Sequence, residues 1–191
     1  MRRAAITVAF AGALAACNPS PPADAPAPPV ANGATNATAK TVRPQIAWPA
    51  RADATALAAL GGDASHVARS PVPVLAPARA KLEDPRVIVD AEYYAISGKM
   101  TGATIAIQGT RLAHKYDNIK KIDGDRALRG THGFVTVNEG IRSASWMENG
   151  ASYSVDVECR DPVGDVRCTS DAYVLELAES LVFVGGAGES R

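Results

Sequence analysis

The side chains that could do chemistry in this chain are few and widely spaced. The chain has three cysteines and three histidines. Thiols can form a disulfide, bind a metal or carry a covalent modification, whereas imidazoles can bind a metal or transfer a proton. The histidines, His66, His114 and His132, lack the H-x-x-x-H and H-E-x-x-H spacings of common zinc sites. The sequence therefore predicts no metal site.

Motifs for catalysis are also missing from the sequence. No G-x-S-x-G, P-loop or dinucleotide-binding pattern occurs. Serines, histidines and aspartates could be combined in many ways, and no spacing favours one triad. Asp90 and Glu92 could act as a carboxylate pair on one strand face, but solvated strand carboxylates are the ordinary explanation. We predict no catalytic residue, no cofactor and a non-enzymatic function.

The amino-terminal 16 residues have the pattern of a secretion signal. Arg2 and Arg3 precede an apolar run over residues 4–16 that ends in small side chains. This run of 13 residues is too short to span a hydrocarbon core, which needs about 20 residues. An exported protein processed after this run is the direct expectation.

The end of the leader, Leu14-Ala15-Ala16-Cys17, resembles the lipobox of bacterial lipoproteins. The resemblance implies that Cys17 becomes the first mature residue and carries a diacylglyceryl group on sulfur and an acyl chain on nitrogen. Acyl chains contribute about 0.8 kcal/mol per buried methylene, and two of them anchor a protein stably. Asn18, where inner-membrane retention would favour aspartate, points to the outer membrane. The alternative is a secreted protein with a free Cys17 thiol.

Composition narrows the partners of the mature chain. Removal of residues 1–16 leaves 18 basic and 20 acidic side chains, a net charge of −2 with neutral histidines. Nucleic-acid binding needs a basic surface, so nucleic acid is not an expected partner. The expected partners are the membrane, through the lipid at Cys17, and an envelope protein or the cell wall.

Cys159 and Cys168 remain as an even pair in an oxidising compartment. Their spacing is not C-x-x-C and no histidine lies near, which argues against a redox or metal pair. A disulfide that closes this ten-residue loop should stabilise the fold by about 2–3 kcal/mol. We predict that bridge.

Residues 17–50 are predicted to form a disordered tether. The stretch 18–50 holds eight of the thirteen prolines and nine alanines. Few large apolar side chains are present to offset the entropy of ordering. Between a compact coil and extended polyproline II the tether would reach roughly 30–100 Å. A single α+β domain is expected over residues 51–191.

The first part of that domain should be helical and then extended. Asp53 can cap a short helix that ends at Gly61-Gly62, and a second turn can follow over residues 63–69. Residues 70–77 alternate prolines with apolar side chains. Because proline cannot donate a ladder bond, this stretch is predicted as an edge strand or a strap across the core. A ligand for a proline-recognition domain is the functional alternative.

From residue 86 the alternation of apolar and polar residues predicts antiparallel strands. A first hairpin is expected around a turn over residues 97–102, with Ile105 and Ile107 in the core. In the preceding strand the alternation places Tyr93 in the core and Tyr94 outside. An exposed Tyr94 near Glu92 would form at most a small binding patch.

The best-specified stretch follows. Asn138-Glu139-Gly140 predicts a three-residue hairpin loop, and Asn149-Gly150 predicts a two-residue one. The shorter loop would pair Trp146 with Tyr153 across the strands. The apolar face would consist of Ala144, Trp146, Tyr153, Val155, Val157 and Cys159. The polar face would consist of Ser143, Ser145, Ser152, Ser154, Asp156 and Glu158.

Two features of this region need support from elsewhere in the fold. Arg142 falls on the apolar face, and it fits only if the strand bulges or ends there. A helix capped by Ser170 or Asp171 that ends near Val182 would place Val174 and Leu177 inward, and a loose tail would follow from Gly185-Gly186. We expect an α+β fold in which an antiparallel meander of about five to six strands is covered by this C-terminal helix.

Residues 111–132 lack any period and carry a local charge excess of +3. A long loop in a small domain is usually functional or mobile. The simple interpretation is a solvated basic loop, and the sharper one is a docking surface for an anionic cell-wall polymer or lipid head groups. The charged residues are Arg111, Lys115, Asp117, Lys120, Lys121, Asp123, Asp125, Arg126 and Arg129.

Three functions remain open from the sequence. The first is a membrane-anchored envelope lipoprotein whose domain binds a protein complex or the cell wall without catalysis. The second is an inhibitor of a secreted hydrolase, such as a lysozyme inhibitor, by analogy of architecture. The third is a hydrolase without recognised motifs. A deep pocket that gathers His114 or His132 with a carboxylate would favour the hydrolase, a rigid loop over residues 160–167 the inhibitor, and an exposed sheet face the docking domain.

Overall fold

A computed structural model describes residues 39–79, 81–116 and 122–190. Its strands are β1 (Ala39–Val42), β2 (Val74–Pro77), β3 (Glu83–Val89), β4 (Tyr93–Met100), β5 (Ala103–Thr110), β6 (Ala113–Tyr116), β7 (Arg126–Leu128), β8 (Thr131–Asn138), β9 (Ile141–Glu148), β10 (Ala151–Cys159) and β11 (Leu181–Gly185). Its α-helices are α1 (Ala54–Ala58), α2 (Ala64–Val67), α3 (Val166–Thr169) and α4 (Ala172–Glu179). The predicted leader, Cys17 and the tether up to residue 38 lie outside the described residues.

A seven-stranded antiparallel sheet forms the centre of the described fold. Its order is β3-β4-β5-β10-β9-β8-β7. Two meanders, β3-β4-β5 and β7-β8-β9-β10, are joined where β10 pairs with β5. The predicted antiparallel sheet is therefore confirmed, with more strands than expected. Two smaller pairs, β1-β6 and β2-β11, complete the strands.

The predicted register of the last hairpin is confirmed. Trp146 pairs with Tyr153, and their rings stack with centroids 5.6 Å apart. Asn149 and Gly150 have φ angles of 53° and 79°, and a type I′ turn requires a positive φ at both of its central residues. The preceding loop is shorter than predicted, because Asn138 ends β8 and only Glu139-Gly140 connects it to β9.

One face of the sheet forms the core. The predicted apolar face of β9 and β10 is buried, as are Ile105 and Ile107. The prediction for the tyrosines of β4 is wrong, since Tyr94 is fully buried and Tyr93 is exposed. The chain turns between Val89 and Tyr93, so the alternation restarts in β4 instead of continuing from β3. The turn over residues 97–102 is also shorter, since β4 extends to Met100.

Two buried tyrosines attach β2 to the sheet. The Tyr94 hydroxyl accepts a hydrogen bond from Leu75 N at 2.9 Å, and the Tyr153 hydroxyl donates one to Pro73 O at 3.0 Å. Burial raises the pKa of both phenols above the ordinary value. All four residues of β2 are buried, and β2 pairs with β11 in a two-stranded sheet. The segment is thus an edge strand that also lies against the core, which agrees with both predicted alternatives.

The carboxyl-terminal region differs from the prediction. Helix α4 ends at Glu179, and Leu181 and Val182, predicted as helical, belong to β11. The run Leu-Val-Phe-Val favours a strand where a partner exists, and β2 is that partner. Helix α4 contacts β7, β9 and β10, while β2 lies at the two tyrosines of the sheet centre. In the described part of the chain, none of the helices has the length and apolar content needed to cross a bilayer.

The folded part begins before residue 51. Strand β1 pairs with β6, and Ala47 N donates a hydrogen bond to Asn149 O at 2.9 Å. Trp48 packs so closely on Gly186 that a Cβ there would lie 2.4 Å from its ring. Residues 39–50 are thus not part of a disordered tether, and Gly186 does not open a loose tail. The many prolines of this stretch favoured the prediction of a tether, and the packing of Trp48 on Gly186 could not be seen from them.

Arg142 lies on the apolar side of β9 without a bulge. Its guanidinium donates two hydrogen bonds to Cys168 O, at 2.9 and 3.2 Å, and pairs with the Asp171 carboxylate. These partners satisfy a charge that burial alone would penalise. Asp171 is the residue before α4, as predicted, but its side chain does not cap the helix. Its carboxylate binds arginine instead of the helix amides. Asp53 does cap α1, through Thr55 N and Ala56 N, as predicted.

The space between the two tyrosines is tested by adding one methyl group. A Cβ at Gly109 would lie 2.4 Å from Tyr94 Cε1 and 2.8 Å from Tyr153 Cε1. We expect Gly109→Ala to lower the free energy of unfolding in urea by about 1–3 kcal/mol, because the core is overpacked. Gly62→Ala, where no atom lies within 4 Å of the added carbon, is the matched control and should not destabilise the protein. Equal stability of the two variants would contradict this packing.

Candidate functional site

The sequence-predicted histidines are not brought together. His66 Nδ1 lies 3.0 Å from Val87 O, and Asp63 accepts a hydrogen bond from Val87 N at 3.0 Å, so both side chains cover the free edge of β3. His114 is exposed on β6, and His132 is exposed on β8. Among residues 39–79, 81–116 and 122–190, no group of three histidines, cysteines or carboxylates could hold a metal ion.

His132 does share a surface depression with a carboxylate. The depression has a volume of about 590 Å³ and is lined in part by Asp123, His132, Ser145 and Ser152. The described hydrogen bonds do not connect the His132 ring to either serine.

The predicted Asp90 and Glu92 pair is not on a strand face. Both residues lie in the turn between β3 and β4, and Glu92 accepts hydrogen bonds from Arg43 at 2.6 and 2.9 Å. Hydrogen bonding from Arg43 lowers the pKa of Glu92 below its ordinary value. Arg111 lies on its other side at 3.7 Å. Glu92 is therefore held as an anion, and it connects the amino-terminal stretch to the sheet.

In the described part of the predicted basic loop, two arginines pair with residues elsewhere in the fold. This part of the loop contains β6 and β7. Arg129 binds Glu148 at 2.6 Å and donates to Leu181 O at 2.8 Å, while its guanidinium lies 5.8 Å from the centre of the Trp146 ring. Arg126 pairs with Asp171 at 3.1 Å. Because these two arginines are paired within the fold, they are less available to bind an anionic polymer or lipid head groups. Asp117, Lys120 and Lys121 lie outside the described residues.

The most extensive candidate site is the outer face, by which we mean the exposed side of β4, β5, β10, β9 and β8. Antiparallel pairing places their outward side chains in rows across the strands. The row nearest the Asn149-Gly150 loop contains Tyr93, Thr110, Ser152 and Met147. The next row contains Ala95, Gln108, Ser154, Ser145 and Phe134. No side chain in these two rows carries a charge.

The outer face has two adjoining depressions with a common floor. The first is the depression that contains His132, and the second, of about 560 Å³, is lined by Tyr93, Gln108 and Thr110 among others. Ser145 and Ser152 belong to both. Small hydroxyl side chains keep this floor low, whereas larger side chains stand beside it.

The larger side chains at the margins are apolar and unusually accessible. Tyr93 and Phe134 are each 39% exposed, and Met147 is 47% exposed. Hydroxyl groups both donate and accept hydrogen bonds, and aromatic rings offer a flat apolar surface. The arrangement suits a neutral ligand that has both hydroxyl groups and apolar faces.

The second candidate is the disulfide loop, residues 160–167. Cys159 and Cys168 are joined with an S–S distance of 2.07 Å and a Cα separation of 6.2 Å, so the predicted bridge is confirmed. Asp161 accepts hydrogen bonds from Val163 N and Gly164 N at 3.3 and 2.9 Å. The loop is thus closed covalently at its base and hydrogen-bonded within.

The carboxyl-terminal half of the disulfide loop is also fixed. The Asp165 carboxylate caps α3 through Arg167 N at 3.0 Å and binds the Arg167 guanidinium at 2.5 Å. Arg167 in turn donates a hydrogen bond to Thr101 O at 2.8 Å, which attaches the loop to the turn before β5. On the other side, a Cβ at Gly140 would lie 3.1 Å from Pro162.

Comparisons of the chain with protein-family models, with curated proteins and with solved structures found no match.

Part of the candidate site was accessible from sequence. The alternation in β9 and β10 identified Ser145, Ser152 and Ser154 as outward-facing. The contribution of Tyr93 and Thr110 was missed, because it depends on the pairing of β10 with β5 across 42 or more residues. A turn signal at Asp90-Ala91-Glu92 could have indicated the change of phase in β4.

The ion pair within the disulfide loop predicts a measurable titration. The hydrogen bond from Arg167 holds the pKa of Asp165 at about 2. A depressed carboxyl pKa stabilises the fold above the ordinary value of 3.8, and this contribution is lost as the pH falls through about 2. Carboxyl carbon NMR should show Asp165 titrating near pH 2. In Arg167→Gln its pKa should move toward the ordinary value; an unchanged pKa would show that Arg167 is not the cause.

Proposed function

We propose that this chain is a lipid-anchored protein of the bacterial envelope, and that its domain binds a neutral glycan strand of the cell wall through the outer face. The anchor is the acylated Cys17, at the periplasmic side of the outer membrane. The domain acts without catalysis. The single observation that carries the binding role is the uncharged hydroxyl floor between exposed Tyr93, Phe134 and Met147.

The anchor is supported by the leader and by cysteine chemistry. Leu14-Ala15-Ala16-Cys17 closes a short apolar segment after two arginines. A disulfide between Cys159 and Cys168 suits an oxidising compartment, where a further exposed thiol would be reactive. Acylation of Cys17 removes that thiol.

The chemistry of the outer face favours a sugar polymer over other envelope ligands. Lipid head groups and acidic polymers would favour a cluster of arginines and lysines, which neither of the two rows contains. Sugar rings present hydroxyl groups around their edge and C–H groups on their faces. The serine hydroxyls of the floor can bond the hydroxyl groups of the sugar, while Tyr93 and Phe134 can pack on its faces.

The shape of the outer face agrees with an extended ligand. The two depressions adjoin across β10, so a chain could lie over both at once. The opposite face is occupied, since we infer that α4 covers it together with β2 and β11. Binding at the outer face therefore requires no rearrangement of the core.

The anchor predicts membrane partition. Cys17→Ala should move the protein from the membrane pellet to the soluble periplasmic fraction, because the acyl chains supply the attachment. Fractionation followed by immunoblotting measures this, with Ser20→Ala as a control that changes a nearby residue and leaves Cys17 in place. Retention of Cys17→Ala in the membrane would disprove acylation at Cys17 as the anchor.

Glycan binding predicts co-sedimentation with purified cell-wall sacculi. In the soluble Cys17→Ala background, Tyr93→Ala and Phe134→Ala should each weaken binding by roughly tenfold, equal to about 1.4 kcal/mol. Val137→Ala removes another exposed apolar side chain that lines neither depression, and it should bind normally. Undiminished binding by both aromatic variants would contradict the proposed site. Absence of binding by the parent protein would instead point to a protein partner.

A further inference from the structure

Two valines of the disulfide loop are exposed where nothing in the described fold requires apolar side chains. Val163 is 85% exposed and Val166 is 77% exposed. Exposure of a lone apolar side chain is ordinary, but these two lie three residues apart on one short loop. Pro162 precedes them and is exposed as well. The loop therefore presents a small apolar tip to solvent.

The tip is held rigid, unlike a valine exposed on a flexible loop. The bridge at Cys159–Cys168, the Asp161 turn and the Asp165–Arg167 pair fix the loop on three sides. A preorganised loop loses little conformational entropy when it binds. Such a loop can insert side chains into a partner at low cost.

The disulfide loop also lies far from the entry of the chain into the domain. It follows the end of β10, where Arg160 N donates a hydrogen bond to Gly102 O. Residues 39–47 contact the opposite strand ends, at Glu92 and Asn149. Ser152 and Cys159 lie seven positions apart in β10, a distance of about 23 Å at the usual strand rise. The loop is thus at the end of the sheet away from the amino-terminal stretch.

We propose that the disulfide loop is a protein-docking site, which inserts Val163 and Val166 into an apolar pocket of another envelope protein. This site is separate from the outer face and does not depend on glycan binding there.

The composition of the loop argues for a protein over the other envelope components. Membrane-inserting segments combine large apolar or aromatic side chains with lysines and arginines, which attract anionic lipids. This loop has only valines at its tip, and its two arginines are balanced by two aspartates. It also lacks the aromatic ring that would pack on a sugar. Small, rigid apolar side chains in a neutral surround suit a matching protein pocket.

Site-specific photo-crosslinking in the full-length, anchored protein tests this proposal. A photoreactive amino acid at position 166 should give an adduct with one protein species in intact cells. The additional change Val163→Ser should reduce the adduct at least fivefold, and so should loss of the bridge in the Cys159→Ser/Cys168→Ser variant. The same probe at the exposed Val137 is the control and should not capture that species.

The captured protein, once identified by mass spectrometry and purified, should bind the soluble Cys17→Ala protein and lose at least tenfold in affinity for Val163→Ser. Because Val163 is exposed, this variant should keep the parental melting temperature and its binding to sacculi. An adduct with lipid or glycan, an adduct insensitive to Val163→Ser, or no adduct would each overturn the proposal. Failure of sacculus binding alone would leave this site unaffected.

Discussion

In β4, β5 and β10, the strands at the centre of the sheet, buried side chains alternate with outward-facing ones, and the rest of the structure depends on this alternation. In β10, Tyr153, Val155 and Val157 are buried while Ser152, Ser154 and Asp156 face outward. A slip of one residue would exchange the two faces completely. The tight Asn149-Gly150 loop prevents that slip, since it fixes how β9 and β10 pair. The same loop thus determines the core and the candidate binding surface.

Polar groups that fall on the core side find partners within the fold. The Tyr94 and Tyr153 hydroxyls bond to the backbone of the buried strap, and Arg142 bonds to Cys168 O. Arg129 spans from the β7–β8 turn to the start of β11. Buried polar groups without partners would cost several kcal/mol, so these contacts are requirements of the fold rather than signs of a site. On the outer face, by contrast, the hydroxyl groups of Ser145 and Ser152 are available to a ligand, whereas the Thr110 hydroxyl is bonded to Glu92 O.

Local patterns gave the parts of the fold that depend on neighbouring residues. The Asn149-Gly150 loop, the cap at Asp53 and the bridge of Cys159 to Cys168 follow from short stretches of sequence. The parts that were missed depend on distant partners. Leu181 and Val182 form a strand because β2 lies beside them. Arg142 is accommodated without a bulge because it pairs with Asp171, a residue 29 positions away in the sequence. Trp48 joins the fold by packing on Gly186, a contact that no local pattern encodes.

The candidate surfaces show the same division. The serines of the outer face were visible in the alternation of β9 and β10, whereas the depressions exist only because β5 and β8 flank them. The rigidity of the disulfide loop could be expected from the bridge. Its attachment to Thr101 O through Arg167 could not, since the two residues are 66 positions apart.

The most direct test of the account is to map where a cell-wall glycan touches the domain. Backbone amide NMR spectra of the soluble Cys17→Ala protein would be recorded during titration with soluble cell-wall glycan fragments. Binding at the outer face should change the shifts of Thr110, Ser145 and Ser152 most and leave those of the disulfide loop unchanged. Changes confined to other surfaces, or no change at saturating glycan, would contradict the assignment of the outer face as the binding surface.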